Sequence, residues 1–496
     1  MTRTAGSRQE VRTGLLVGGE VEGAEDWFPV LDPAAPLEVV GHAAAAAPEQ
    51  TRQAVDAADA AWPAWSARAP EQRAELLLEA LRNLGEDHDA RADLLVREDG
   101  KPLAEARDEL AVFARRCTLA AATAGELRPV RHLLPQPRQE EAAPERFRSE
   151  VAAVPLGVVT IVLPASWPLA VLAASLPYAL VAGDTVVVKP PSSCPLTVVD
   201  TLRLLAERLP AGVLNAVTGS GPALSPLLRD PRVQRIVFTG STATGRRVVR
   251  AAADNVTRVT LGLSGNNPAI VLDDADLDPA AVARLAAGAF LSAGQVGAGV
   301  KRVHVHRSRY HDLVEGLSTL LEHHRIGHGL HPGTTMGPLN SARRRDRVTD
   351  LVDRARAAGC EVREFGTLGE ETRDSGGHFL RPALVLDPPP DESIVVEEQF
   401  GPALPILPYD DLDRVVDAVN RDWSGLGASV WSADPDRAEE TARRLRVGTV
   451  RINDAHPVAG DDRAPSGGFR QSGTGRVMGF EGLMEMTETR TVTRPR

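Results

Sequence analysis

Residues 185–192 read TVVVKPPS and residues 235–245 read RIVFTGSTATG. Lys189 ends a β-branched run that reads as a buried strand. It therefore stands at the strand's carboxyl edge, where doubly wound sheets bind ligands. The turn Gly240-Ser241-Thr242 follows the strand RIVF and opens a helix. Amides at a helix start can meet a pyrophosphate, and Gly245 lets that helix pack close to the sheet. Two further stretches lie where chemistry could occur. FLSAGQVGAGVKR at 290–302 carries Gly297, which has no side chain with which to attack a carbonyl. INDAHPVAGDD at 452–462 carries Asp454 and His456, and a histidine is a possible acid near neutral pH.

The elements that must position these residues follow from periodicity. Residues 43–125 are Ala-rich and read as helices. Residues 127–150 (RPVRHLLPQPRQEEAAPERFRSE from 128) are rich in Pro, Arg and Glu and predict an exposed arm or hairpin. From 151 short β-branched runs alternate with helices: VVTIVLP, TVVVKP, LNAVTG, RIVFTG. Such alternation predicts an α/β fold with a parallel, doubly wound sheet. A second α/β region begins near 263, and the tail TRTVTRPR reads as an edge strand.

At 496 residues the chain predicts two or three domains. It is 43% hydrophobic and 25% charged, with a formal net charge of −11 and no basic stripe. This is the profile of an ordinary globular enzyme and argues against nucleic acid as a partner. Lysine occurs only at Lys101, Lys189 and Lys301. Three widely spaced cysteines, Cys117, Cys194 and Cys360, predict neither a disulfide framework nor a zinc site, and point to a reducing cytoplasmic setting. The polar start MTRTAGSRQEVRTG lacks an apolar signal core. The apolar stretch 151–188 is broken by Pro155, Pro164, Pro168, Pro177 and Gly183, so it predicts buried elements and no membrane span.

Six separated motifs, in order, resemble the aldehyde dehydrogenase superfamily from about residue 14 to 492. They are Glu98-Asp99-Gly100-Lys101, PLGVVTIVLP at 155–164, AGDTVVVKP at 182–190, FTGSTATG at 238–245, IVVEEQFGP at 394–402 and SGGFRQSGTGR at 466–476. The resemblance implies a Rossmann-like nucleotide domain at 1–126 and 151–263, and a catalytic domain at 264–465. It also implies a small β oligomerisation arm at 127–150 and 483–496, in a homodimer or homotetramer. Lys189 would bond the adenosine ribose. Glu398 would bond the nicotinamide ribose, and Phe400 would pack beside it. At Ser192 many NAD-preferring members carry a glutamate. A serine there does not repel a 2′-phosphate, so NADP(H) is expected, with NAD(H) still permitted.

The same resemblance implies a dismantled chemical centre. Gly297 stands where G-Q-x-C places the nucleophile. Gly262, in TLGLSG, stands where T-L-E-L-G-G places the general base. Ser166, in PASWP, stands where P-W-N places the oxyanion asparagine, with Ala165 in place of the tryptophan. Loss of all three removes covalent catalysis, water activation and an oxyanion donor. The four changes are also expected to open space beside the nicotinamide. Hydride transfer belongs to the cofactor, so the leading expectation is an NAD(P)H-dependent reductase of a small C=N or C=O substrate. Ser166 or His456 are the possible proton donors. The alternatives are an inactive scaffold or regulatory partner, and a dehydrogenase that recruits another thiol, with Cys194 the nearest candidate.

Overall fold

The computed structural model describes residues 11–85, 87–127, 131–132, 147–221 and 225–495. Most of the segment expected to form an arm, 128–130 and 133–146, lies outside the described residues.

Two large sheets organise the chain. The first has eight strands in the order Gly473–Thr474, Arg258–Gly262, Val233–Thr239, Val158–Val162, Thr185–Lys189, Leu214–Ala216, Leu15–Val17, Glu20–Glu22. Its five central strands are mutually parallel, and only the edges are antiparallel. Strands such as VVVK are buried along their whole length because helices cover both faces of a parallel sheet. The parallel run puts five carboxyl ends along one edge: the starts of segments 163–168, 190–195, 217–219, 240–245 and 263–267.

The second sheet has seven strands in the order Glu361–Glu364, Ala383–Leu386, Ala403–Tyr409, Arg302–His306, Pro268–Val271, Gly427–Trp431, Thr449–Ile452. All are parallel except the Glu361–Glu364 edge. Residues 263–267 pass from the first sheet to the second. The expected doubly wound α/β architecture is therefore present.

The Ala-rich stretch is helical only from Pro48; Ala43–Ala45 instead close a strand, Ala35–Ala45, that pairs antiparallel with Asp26–Asp32. Strand pairing overrides the helical preference of alanine there. The tail strand Thr487–Pro495 pairs antiparallel with Phe147–Pro155, whose other side meets Arg131–His132. The tail is thus an edge strand, exposed over most of its length. Its partner begins before and ends after residue 150, so the strand crosses the boundary that the sequence suggested.

The Glu98–Lys101 motif forms a structural hub. Glu98 accepts from the amides of Leu196 at 2.7 Å and Thr197 at 2.7 Å. It thereby caps the helix Leu196–Ala206, whose own N-cap is Pro195. Gly100 has φ +94°, and a Cβ there would lie 2.8 Å from Pro33 and 2.9 Å from Pro338. Lys101 is buried between Asp99 and Glu109.

Candidate active site

The carboxyl edge of the first sheet gathers Ser166, Lys189, Ser192, Gly240, Ser241, Gly245 and Gly262. Lys189 is 7% exposed and donates to Ser192 Oγ at 3.0 Å. Ser192 donates onward to the Gly219 carbonyl at 2.9 Å. Burial pulls the Lys189 ammonium down to about 8.

Gly240 donates to the Gly262 carbonyl at 3.0 Å, and a Cβ on it would sit 2.7 Å from the Phe238 ring. Ser241 caps the helix Thr242–Ala252, its Oγ accepting from the Thr244 amide at 3.3 Å. A Cβ on Gly245 would lie 2.6 Å from Leu263 Cδ2, so this glycine does bring helix and sheet together. The helix start therefore points unpaired amides toward the strand-end edge.

The helix Pro279–Phe290 delivers the loop that holds Gly297. Ser292, Ala293 and Gly294 adopt left-handed backbone, with φ of 49°, 53° and 74°. Only glycine fits at 294, because a Cβ would meet the Gly401 carbonyl at 2.4 Å. Gln295 is buried; its Oε1 accepts from the Asn340 amide at 2.9 Å and its Nε2 donates to the Ser292 carbonyl at 3.0 Å. Lys301 Nζ donates to the carbonyls of Gly294 and Val296, both at 2.9 Å. Asn267 Nδ2 donates to the carbonyls of Gly297 at 2.9 Å and Gly299 at 2.8 Å. The loop is braced on both sides, yet a Cβ on Gly297 would meet nothing within 4 Å. The expected opening of space is uneven: a Cβ on Gly262 would already lie 3.2 Å from Thr239 Oγ1.

Glu398 and Phe400 lie beside this loop. Glu398 Oε1 accepts from the Gly265 amide at 3.4 Å. Lys301 Nζ lies 5.2 Å and Arg344 Cζ 4.5 Å from the centre of the Phe400 ring. Burial lowers Lys301 to about 8, with Glu398 opposing that shift. Lys301, Arg344, Asn267 and Glu105 were not singled out from the sequence. One sequence signal existed for Lys301, the rarity of lysine, which occurs at only three positions; the fold buries all three, at 2%, 7% and 2% exposure.

Ser166 is half-buried and precedes Trp167, whose indole packs with Val112, Ala170 and Val296. Val458 joins that apolar cluster and brings the 453–459 loop to it. His456 follows the same loop, but its Nδ1 accepts from the Ala459 amide at 2.9 Å. That bond assigns the remaining ring proton to Nε2. Burial lowers the His456 pKa, so the ring is neutral at pH 7 and a weak acid. Cys194 is fully buried and donates to the Ala165 carbonyl at 3.5 Å, and burial raises its thiol well above the usual range. Cys117 is likewise buried with a raised thiol. Burial and the raised thiols disfavour both as nucleophiles, which counts against a recruited thiol at Cys194. Among the described residues no cluster of His, Cys, Asp and Glu could hold a metal, and no helix is long and apolar enough to cross a membrane.

Comparison with known proteins agrees with this fold. The profile of the aldehyde dehydrogenase family matches residues 21–492. A betaine aldehyde dehydrogenase from Bacillus subtilis (strain 168) is 34% identical over 85% of this chain and 84% of its own. A succinate-semialdehyde dehydrogenase (NADP+) from Escherichia coli (strain K12) is 33% identical over 89% of each chain. Among solved structures, an NADP-dependent enzyme from E. coli has a TM-score of 0.91 and 31% identity over 98% of both chains. A betaine aldehyde dehydrogenase from Staphylococcus aureus, in complex with NAD+, has a TM-score of 0.89 and 27% identity over 97% of both. With the motifs in register, both sheets in place and the profile spanning nearly all of its length, the chain belongs to the aldehyde dehydrogenase family.

Proposed function

We propose that this chain binds NADP(H), or NAD(H), and transfers hydride without a covalent intermediate to a small imine or carbonyl. The observation that carries the reading is Gly297. The loop that would present a thiol is braced from both sides, and the position itself is glycine facing open space. Gly262 supplies no carboxylate and Ser166 no amide. Aldehyde oxidation through a thioester has no nucleophile here.

The residues present fit a dinucleotide. Lys189 Nζ and the Ser192 hydroxyl would hold the adenosine ribose or its 2′-phosphate. The amides after Gly240 would hold the pyrophosphate. Glu398 would accept from the second ribose, with Phe400 packed beside it. When bound, the nicotinamide supplies the hydride. The chain's own part is to bind, orient and exclude water. The Ser166 hydroxyl is the protein group offered for a proton at the substrate nitrogen or oxygen, with solvent restoring it. His456 Nε2 is a poorer source, because the ring is held neutral. The three-part domain division and a homodimer or homotetramer built through the exposed tail strand belong to the same proposal.

Calorimetric titration of the full chain with NADPH and NADH tests the first half. Binding below millimolar concentration is expected, and its absence would end the proposal. Loss of nicotinamide absorbance on adding cyclic imines or small ketones tests the second half. Binding without turnover of any such compound favours the scaffold reading, for which the neutral His456 and the missing carboxylate at 262 already speak.

A further inference from the structure

Three residues with side chains in left-handed backbone lie in the two segments that a single hydrogen-bonded chain ties to Glu105. Ser292 (φ 49°) and Ala293 (φ 53°) begin the Gly297 loop, and Trp167 (φ 50°) lies in the 164–170 segment. Such residues persist only where their surroundings hold them. Trp167 Nε1 donates to Ser292 Oγ at 2.8 Å. The Ser292 hydroxyl hydrogen goes to Glu105 Oε2, and the Ser292 amide donates to Glu105 Oε1 at 3.2 Å. Both oxygens of Glu105 therefore accept. One turn along the same helix, Leu103–Ala122, Glu109 Oε1 accepts from the Leu169 amide at 2.7 Å, while its other oxygen takes Lys101. A single helix thus grips both segments that frame residue 297, one with each carboxylate.

We propose that Glu105 is a positioning residue: as a carboxylate it locks the 291–297 loop and, through the Ser292 hydroxyl, ties that loop to Trp167. This goes beyond the proposed function and holds whether or not hydride transfer occurs. The charged groups facing Glu105 are Asp99 and Lys101, with Glu109 on its own helix. The segments 164–170 and 290–297 packed against it carry no charged side chain. Burial pushes the Glu105 carboxyl up to about 7, with Ser292 and Lys101 opposing the shift. A protonated carboxyl must donate to Ser292 Oγ instead of accepting from it, and the two charge-assisted bonds from the Ser292 hydroxyl and amide give way to weaker neutral ones. The lock therefore weakens as pH falls through neutrality.

Amide hydrogen exchange of the full chain, read by mass spectrometry and corrected for intrinsic rates, tests this at one unit below and one unit above pH 7. The ionised fraction changes roughly tenfold between those points, so exchange in peptides covering 291–297 is expected to be several-fold faster on the acid side. Peptides covering the buried strand Gly427–Trp431, which has no titratable side chain, serve as the internal control. Glu105→Gln keeps the shape and cannot ionise, and should exchange fast and equally at both values. A pH-flat wild type, or the same pH response in Glu105→Gln, overturns the proposal. If Glu105→Gln does not fold, Ser292→Ala decides. Loss of the response confined to 291–297 supports the lock, and its persistence overturns it.

Discussion

Asn267 holds the Gly297 carbonyl at 2.9 Å, so the residue that joins the two sheets also fixes the backbone of the candidate centre. Its Oδ1 accepts from the Gly427 amide at 3.1 Å, which fastens it to the second sheet. Residue 297 is therefore held by its backbone while its side-chain direction stays open.

That separation predicts opposite outcomes for two glycines of one loop. A Cβ on residue 297 meets no atom within 4 Å, and Gly297→Cys should change stability by no more than about 0.5 kcal/mol. Gly294→Ala places a Cβ 2.4 Å from the Gly401 carbonyl in a backbone of φ 74°, and should cost on the order of 3 kcal/mol. Denaturation midpoints of the two variants check this. The Gly297→Cys thiol should be alkylated by iodoacetamide, yet acid should not accumulate from any aldehyde, because residue 262 offers no base. Robust acid production by that variant would show that the centre is more complete than proposed.

If Lys189 holds the adenosine ribose or its 2′-phosphate, as proposed, dinucleotide binding should be sensitive to pH. Its folded pKa is lowered from 10.5 to about 8, so the ammonium is lost as pH rises through about 8 while the unfolded chain still holds its proton. The affinity for NADPH should fall across that range, and more steeply than for NADH, because only NADPH presents a 2′-phosphate to the charge. Lys189→Arg keeps its charge and should flatten the curve. Calorimetry on either side of pH 8 gives the comparison; parallel curves for wild type and variant would count against Lys189 as the phosphate partner.

Ser192→Glu tests the selectivity of the same corner. Ser192 Oγ lies 3.0 Å from Lys189 Nζ. A carboxylate there pairs with the lysine and repels a 2′-phosphate. NADPH should weaken by about tenfold or more relative to NADH, corresponding to ~1.4 kcal/mol of added repulsion. The ratio of the two dissociation constants is the measurement, and an unchanged ratio would place the phosphate elsewhere.

Asp184 predicts how stability varies with pH. Its Oδ1 accepts from the amides of Leu156 at 2.7 Å and Gly157 at 3.1 Å, and burial raises the carboxyl from 3.8 to about 8. The fold thus keeps a proton that the unfolded chain releases. Wild-type stability should fall as pH rises from about 4 to about 8 on account of this group. Asp184→Asn keeps the Oδ1 acceptor and removes that slope. Its stability relative to wild type should grow with pH in chemical denaturation; curves that stay parallel would refute the assignment.

Much of the candidate site was legible along the chain because its motifs are local. Lys189 at the end of TVVVK and Gly240 behind RIVF are set by strand period and turn chemistry, so the sheet edge could be placed before any contact was known. The Ala43–Ala45 run misled, because strand pairing with Asp26–Phe28 outweighs the preference of alanine for helix. Lys301 escaped notice because its burial depends on carbonyls that only the folded loop turns toward it.

The amino-acid sequence by itself determined the residue types at the proposed chemical positions: glycine at 297 and 262, serine at 166 and 192, lysine at 189. These are matters of composition at a motif, and folding cannot alter them. The tertiary structure alone decided which groups can act. It sealed Cys194, kept His456 neutral, set Glu105 against Ser292 at a separation of 187 residues, and left the space at Gly297 open. Burial, proton affinity and free volume arise from atoms that distant segments bring together, so no reading of neighbours in sequence contains them.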